Sequence, residues 1–236
     1  IKAVSFVGSS DIAHYVYQTG TANGKRVQAM GGAKNHGIIM PDADMDQVIA
    51  DFSGSAYGSA GERCMALPVA VPVGKDTADE FVGRMQEEVG KLNVGISTDA
   101  QAHFGPVVSA AHRAKIESFI EMGVKEGADL VVDGRGLSLQ GHEEGFFIGP
   151  SLFDNVTANM QSYQEEIFGP VLQVVRADTL EVKNTFLILI GLHFIFQAKN
   201  YFSLIIKFEL KEVMYFILYL CAFKLAPWLW LYSILL

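Results

Sequence analysis

The sequence predicts an α/β fold with a largely parallel sheet over residues 1–180, followed by a hydrophobic segment of different character. Short apolar runs alternate with amphipathic segments of helical spacing as far as residue 175. Twenty-two of the 23 glycines precede residue 181, as expected for a domain rich in turns. Residues 181–236 contain one glycine, one proline, no arginine and no aspartate. The change in composition predicts a boundary near residue 180.

The first elements alternate strand and helix. An apolar run over 3–8 predicts a short buried strand that ends in glycine, and Ser9 and Ser10 can cap a helix to about Gln18. Further strands are predicted at 25–30, before a glycine pair, and at 38–40, before a proline.

The middle of the chain continues this alternation. Asp42, Asp44 and Asp46 place negative charge in the first turn of a helix, where it suits the helix dipole. The apolar face of this helix is formed by Val48, Ile49 and Phe52. A strand at 68–73 and a helix over 77–91 follow, the latter with apolar residues at 81, 85, 89 and 92.

The last elements before the boundary are one helix and three strands. A helix is predicted over 110–125, with an apolar face formed by Ile116, Phe119, Ile120 and Val124. The strands are predicted at 130–132, 146–148 and 171–175.

Composition excludes several classes of function. The 236-residue chain has a formal net charge of −8, which argues against a nucleic-acid partner bound by neutralising phosphates. Its two cysteines are too few for a disulfide framework or a four-thiolate zinc site. The histidines show no metal-ligand spacing, so no metal is assigned. The three aspartates of residues 42–46 resemble the start of a calcium loop, but the glycine and the final glutamate of that motif are missing.

Cys64 is the strongest candidate for chemistry. Small residues and two glycines precede it, and these allow close approach of backbone and ligand. The neighbouring Arg63 would favour the thiolate, which is the reactive form of a cysteine. The alternative is a buried cysteine that serves as a small hydrophobic residue.

Three other segments are weaker candidates. The run Gly31-Gly32-Ala33-Lys34-Asn35-His36 is either a ligand-contacting turn or an ordinary tight turn. Gly8-Ser9-Ser10 stands between a strand and a helix, where backbone amides can face a phosphate, but it lacks the complete glycine fingerprint. Glu165-Glu166 precedes a Gly-Pro break and, by itself, reads as a solvated loop edge.

Together these segments resemble the aldehyde dehydrogenase superfamily. The resemblance rests on Phe6-Val7-Gly8-Ser9-Ser10, the segment 31–36, Gly61-Glu62-Arg63-Cys64-Met65-Ala66 and Glu165-Glu166-Ile167-Phe168-Gly169-Pro170-Val171, in that order. It covers about residues 1–180. The residues of the second and third motifs are similar to those of the CoA-acylating branch of the superfamily, which acts on methylmalonate and malonate semialdehydes.

The resemblance implies a domain organisation. Residues 1–31 would be the end of an NAD-binding domain, 32–180 a truncated catalytic domain, and 181–236 an aberrant tail. The amino-terminal half of the family, its late catalytic loop and its oligomerisation strand would be absent. A fragment of this kind is expected to have little or no activity. The parent family is homo-oligomeric, and the fragment would lack the strand through which its members oligomerise.

The resemblance also implies roles for individual residues. Cys64 would be the nucleophile, and Arg63 would bind a carboxylate on a small aldehyde substrate. Ser9, Gly31, Glu166 and Phe168 would contact NAD, and coenzyme A would be the co-substrate. The implied reaction forms a thioester on Cys64, and the malonate-type acyl group also loses carbon dioxide. Attack by the thiol of coenzyme A then releases propionyl-CoA or acetyl-CoA, as in valine and pyrimidine catabolism.

Met30 departs from the hydrolytic members of the family. Those members have at this position a glutamate that activates water, whereas a methionine cannot act as a base. The CoA-acylating branch usually has asparagine there. We therefore expect slow hydrolysis of the thioester and dependence on coenzyme A.

Residues 181–236 admit three interpretations. Their bias toward Phe, Leu, Ile, Tyr, Lys and Asn resembles the translation of AT-rich non-coding sequence. A membrane anchor is disfavoured because the uncharged runs 184–198 and 213–223 are shorter than the roughly 20 residues that span a bilayer. A genuine domain is disfavoured by the lack of turn residues. The rival functional hypothesis is an inert or membrane-associated product of a mis-spliced gene. The family resemblance implies mitochondria for a eukaryotic source and the cytoplasm otherwise.

Overall fold

The computed structural model describes residues 1–178, so predictions for residues 181–236 lie outside the described residues. The described part contains seven strands, five α-helices and a short 3₁₀ helix (Gly58–Gly61). The strands are β1 (Ala3–Val7), β2 (Arg26–Met30), β3 (His36–Ile39), β4 (Val69–Pro72), β5 (Asp129–Val132), β6 (Ser151–Asp154) and β7 (Val171–Val174). The helices are α1 (Ser10–Ala22), α2 (Met45–Tyr57), α3 (Lys75–Val89), α4 (Ala110–Lys125) and α5 (Gln161–Gln164).

The first two strands form a small parallel sheet. Ala3 pairs with Arg26 and Val7 with Met30, and α1 connects the strands. The prediction that the first strand is buried is wrong: Val4 and Phe6 are half-buried, whereas the alternate residues are exposed. Since successive side chains of a strand point to opposite faces, helix α1 covers only one face of this sheet.

The remaining strands form a sheet of order β3-β4-β7-β6-β5. Every neighbouring pair is parallel except β5 and β6, which confirms the predicted α/β fold with a largely parallel sheet. Strands β6 and β7 are buried along their whole length. The side chains of Leu152, Phe153 and Leu172 lie at the centre of the core.

The strand predicted at 146–148 is absent from this sheet. Phe147 and Ile148 are buried as expected, but their segment pairs with no strand of residues 1–178. Strand β6 begins only at Ser151, after Gly149 and Pro150. An apolar run predicts burial, and here buried coil leads into the strand that follows.

The helices pack largely as their apolar spacing predicts. Helix α2 begins after Asp44, whose carboxylate accepts hydrogen bonds from the backbone amides of Asp46 (3.0 Å) and Gln47 (3.3 Å). Helix α3 buries Phe81, Met85 and Val89.

Helix α4 buries three of the four predicted residues. Ile116, Phe119 and Ile120 are buried, but Val124 is exposed. Gly123 takes the buried position, since a Cβ atom there would meet the ring of Phe153 at 3.1 Å. Among residues 1–178, no helix is long and apolar enough to cross a membrane, and no group of three potential metal-ligating residues occurs.

Candidate active site

Cys64 lies on an exposed turn after helix α2. Three consecutive residues before this turn, Ser59, Ala60 and Gly61, have left-handed φ values of 53°, 54° and 70°. A left-handed backbone is unfavourable for residues other than glycine, and such strain is concentrated at functional sites. The amide of Ala66 donates to the carbonyl of Arg63 (3.1 Å), so residues 63–66 form a β-turn with Cys64 at its second position. We call residues 63–66 the nucleophile turn.

Cys64 is a free, exposed cysteine. The alternative of a buried structural cysteine is therefore wrong. The side chain lines a cleft with Asn35, Arg63, Glu166 and Phe168. Two separate candidates from the sequence, the cysteine and the Glu166–Phe168 segment, thus meet at one site.

Arg63 faces the end of helix α2. Its Nη2 donates to the carbonyl oxygens of Gly54 (2.5 Å) and Ser55 (2.9 Å) in the last turn of the helix, where the Gly54 carbonyl also accepts from the amide of Gly58. In this conformation the guanidinium anchors the nucleophile turn to the helix. Its binding to a substrate carboxylate stays a prediction.

The segment 165–170, which we call the cofactor loop after the role predicted for Glu166 and Phe168, packs directly on the residues before the nucleophile turn. A Cβ atom on Gly61 would overlap the backbone carbonyl of Gly169. The two loops therefore touch backbone to backbone, and a glycine at position 61 is required by this approach as well as by its φ value.

His112 connects the same two loops through side chains. This residue lies on α4, and its Nε2 donates to the carbonyl oxygen of Phe168 at 2.7 Å. The same atom is 3.3 Å from Oε1 of Glu62, which also accepts from the amide of Val108 at 3.1 Å. The ring of His112 packs edge-on against that of Phe168. Phe168 itself is left-handed, with φ of 56°, and the His112 contact supports this conformation.

Lys34 fixes the start of the cofactor loop. Its Nζ donates to the carbonyl oxygens of Ser162 (3.1 Å) and Glu165 (2.8 Å). Burial lowers the pKa of Lys34 from its ordinary value to about 8, and the carboxylates of Glu166 and Glu165 oppose part of this shift.

Ser9 and Gly31 follow the ends of β1 and β2, respectively. Ser9 precedes helix α1, and its side chain makes no capping hydrogen bond. Gly31 packs on Ser10: a Cβ atom at position 31 would meet the Ser10 hydroxyl oxygen at 2.8 Å. That hydroxyl accepts from the amide of Gly32 at 3.1 Å.

A second cleft joins these turns to Glu166. It is lined by Ser9 and the first residues of helix α1, by residues 32–34, by Lys115 and by residues 164–166. The Glu166 carboxylate lies against Gly32, where a Cβ atom would overlap it. Glu166 therefore lines both clefts; it is half-buried, whereas Glu165 is exposed.

Met30 is the last residue of β2 and is half-exposed. Its carbonyl accepts from the amide of Gly8 at 3.1 Å, which joins the ends of the two strands. A thioether at this position offers no basic group.

Sequence reasoning assigned no role to Asn35, Lys34, Glu62 or His112. The first three belong to motifs that the sequence made conspicuous, so their positions were signalled although their contacts were not. His112 had no such signal, because its partner Phe168 is 56 residues away in the chain.

Comparisons with known proteins agree with this architecture. The sequence profile of the aldehyde dehydrogenase family matches residues 1–183. A malonate-semialdehyde dehydrogenase from Pseudomonas aeruginosa is 55% identical over 181 residues, which are 77% of this chain and 36% of that protein. A Drosophila melanogaster protein named as a probable acylating, mitochondrial methylmalonate-semialdehyde/malonate-semialdehyde dehydrogenase is 49% identical over 181 residues, 77% of this chain and 34% of its own.

Solved structures give the same result. A protein from Sinorhizobium meliloti assigned as a methylmalonate-semialdehyde dehydrogenase and complexed with NAD superposes with a TM-score of 0.75 and 56% identity, over 77% of this chain and 37% of that one. This chain thus spans little more than a third of the relatives that it matches. With a matching family profile over more than half its length, the chain belongs to the aldehyde dehydrogenase family.

Proposed function

We propose that this chain carries the nucleophile-bearing part of an NAD-dependent, CoA-acylating dehydrogenase of methylmalonate and malonate semialdehydes. The observation that carries the proposal is the exposed Cys64 on a turn that shares its cleft with Glu166 and Phe168. In this proposal residues 1–31 belong to the NAD-binding domain and 32–180 to the catalytic domain. This choice of substrate is supported by relatives that are named malonate-semialdehyde dehydrogenase and methylmalonate-semialdehyde dehydrogenase.

The chemistry proposed for Cys64 begins with its thiolate. Sγ attacks the aldehyde carbon, and the carbonyl oxygen becomes an oxyanion. Within residues 1–178 the Cys64 amide has no hydrogen-bond partner, so it is available as a donor to this oxyanion. After loss of hydride the acyl group remains on Sγ as a thioester. Attack by the thiol of coenzyme A then returns the Cys64 thiol and releases the acyl-CoA.

The residues around the second cleft fit NAD. Helix α1 begins at this cleft without a side-chain cap, so its first amides can face a phosphate. Ser9 and Gly31 would lie along the pyrophosphate side, Glu166 would accept from a ribose hydroxyl and Phe168 would pack near the nicotinamide. When bound, NAD accepts the hydride. The NAD complex of the Sinorhizobium relative supports this proposal.

Arg63 favours a substrate that carries a carboxylate, and Met30 favours coenzyme A over water as the acceptor of the acyl group. Arg63 is adjacent to Cys64, and a guanidinium can pair with a carboxylate through two hydrogen bonds. Such pairing requires that Arg63 leave the carbonyls at the end of α2. Met30 provides no base for hydrolysis, so the thioester should persist until coenzyme A arrives. For a eukaryotic source we propose mitochondria, the compartment in the name of the Drosophila relative.

The thioester half of the reaction can be tested without hydride transfer. The 236-residue chain is incubated with p-nitrophenyl propionate, which should acylate Cys64 and release one p-nitrophenolate per chain. Peptide mass spectrometry should place the propionyl group on Cys64, coenzyme A should remove it faster than water does, and Cys64→Ser should abolish it. The proposal fails if Cys64 stays unmodified, or if coenzyme A has no more effect than buffer.

A further inference from the structure

Asn35 is braced on both sides by its neighbours in the chain. Lys34 donates to the carbonyls of Ser162 and Glu165. The ring of His36 bonds to the hydroxyl of Tyr163 through Nε2 (2.7 Å). The backbone at Asn35 is therefore fixed to helix α5 and to the residue that follows this helix.

From this fixed backbone the Asn35 carboxamide reaches the nucleophile turn. Its Nδ2 donates to the carbonyl oxygens of Cys64 (2.9 Å) and Ala66 (2.8 Å). Both partners are acceptors, so the amino group, with two N–H donors, must face the turn. A single side chain thus uses both its donors on residues 64 and 66.

The ends of the turn have other restraints, since Arg63 is anchored to helix α2 and Ala66 is buried, but its middle has few. Only one hydrogen bond closes it, from the Ala66 amide to the Arg63 carbonyl. The side chains of Cys64 and Met65 are exposed, so little apolar packing holds them. The Asn35 bonds restrain the peptide planes that follow Cys64 and Ala66, and thereby the backbone that carries the Cys64 side chain and amide.

We propose that Asn35 is a positioning residue for Cys64 and acts through the nucleophile turn. It touches no reacting atom; its two hydrogen bonds hold Cys64 where its thiolate and its amide can act on the same carbonyl group. The catalytic consequence rests on the proposed function, whereas the structural claim concerns the turn alone.

The test replaces the donors. Asn35→Asp presents a carboxylate, which can only accept, to two carbonyl oxygens, and Asn35→Ala removes the group altogether. Amide hydrogen exchange of the full chain should show the Ala66 amide exchanging about tenfold faster in both variants, since this amide is protected only while the turn is closed. Acylation of Cys64 by p-nitrophenyl propionate should slow by about the same factor.

Asn23 provides the matched control. Its Nδ2 also donates to a backbone carbonyl, that of Thr19 (2.8 Å), at the exposed end of α1. Asn23→Asp and Asn23→Ala should leave Ala66 exchange and Cys64 acylation unchanged.

The outcomes separate this inference from the proposed function. If the folded Asn35→Ala variant shows unchanged exchange of the Ala66 amide, the positioning role is overturned, whatever the rate at which Cys64 is acylated. Faster Ala66 exchange in a chain whose Cys64 cannot be acylated supports the restraint of the turn and refutes the proposed chemistry. If Asn35→Asp does not fold, Asn35→Ala decides alone, because it adds no charge.

Discussion

The β1-α1-β2 unit and the five-stranded sheet bury their side chains to different degrees. In β1 no residue is fully buried, whereas every residue of β6 and β7 is. Both units nevertheless line the candidate site, the first through Ser9 and the second through Cys64 and Glu166. The difference teaches that buried side chains, and with them the expected stability, are concentrated in the five-stranded sheet, whereas the candidate site draws on segments of both units.

The largest expected contrast compares two phenylalanines. Phe81 is completely buried and packs edge-on against Phe52 at 5.3 Å, so Phe81→Ala should lower the free energy of unfolding by about 3–5 kcal/mol. Phe6 on β1 is only half-buried, and Phe6→Ala should lower it by about 1 kcal/mol. Urea titration of both variants measures the two changes. Equal losses would remove the difference between the units.

The second contrast tests the contact between the nucleophile turn's flank and the cofactor loop. Gly61→Ala adds backbone strain and an overlap with the Gly169 carbonyl, and should destabilise the fold by about 3 kcal/mol. Gly127 also has a positive φ, of 95°, but open space around it, so Gly127→Ala should give about 1 kcal/mol. If thermal unfolding gives both variants the same loss, the two loops are not packed as described.

A third and smaller effect concerns His112. His112→Ala leaves the Phe168 carbonyl without its donor and should lower the free energy of unfolding by about 1–2 kcal/mol. Because His112 also lies beside Glu62, amide exchange should rise in both the cofactor loop and the segment before Cys64. A rise confined to helix α4 would show that His112 does not join the loops.

A further expected effect is a pH dependence from Lys34. Its pKa is about 8 in the folded chain against an ordinary 10.5, so the unfolded state binds more protons between these values. The contribution of Lys34 to stability is therefore lowest below pH 8 and grows as the pH rises toward 10.5. Urea titrations at pH 7 and pH 10 should show the parent gaining stability relative to Lys34→Met. A difference between the two chains that does not change with pH would contradict the lowered pKa.

The order and type of most elements could be predicted from the sequence. Helix α4 has the predicted bounds, 110–125, because its apolar spacing and the Ser109 cap act locally. The prediction of a strand at 146–148 was wrong because a buried coil and a buried strand have the same run of apolar residues in the sequence. The predicted burial of β1 was wrong because the sequence of a single strand does not reveal how many faces of its sheet will be covered.

In the candidate site, too, local features could be predicted from the sequence, whereas contacts between distant residues could not. Cys64, Ser9 and Glu166 were found because each lies in a conspicuous motif. The contacts that hold them were not, since they connect distant positions: Asn35 with Cys64 across 29 residues, and Lys34 with Glu165 across 131. Local patterns carry no information on such pairs.

Reagent access to Cys64 in the folded chain tests the central claim most directly. The 236-residue chain with Cys221→Ser is pulsed with iodoacetamide, with and without urea. We predict that Cys64 is labelled at the same rate in the folded and unfolded chains to within a few-fold. A thiol introduced by Ala70→Cys in a Cys64→Ser, Cys221→Ser background, at a fully buried position of β4, should be labelled only after unfolding. Labelling of Cys64 that requires urea would contradict the account.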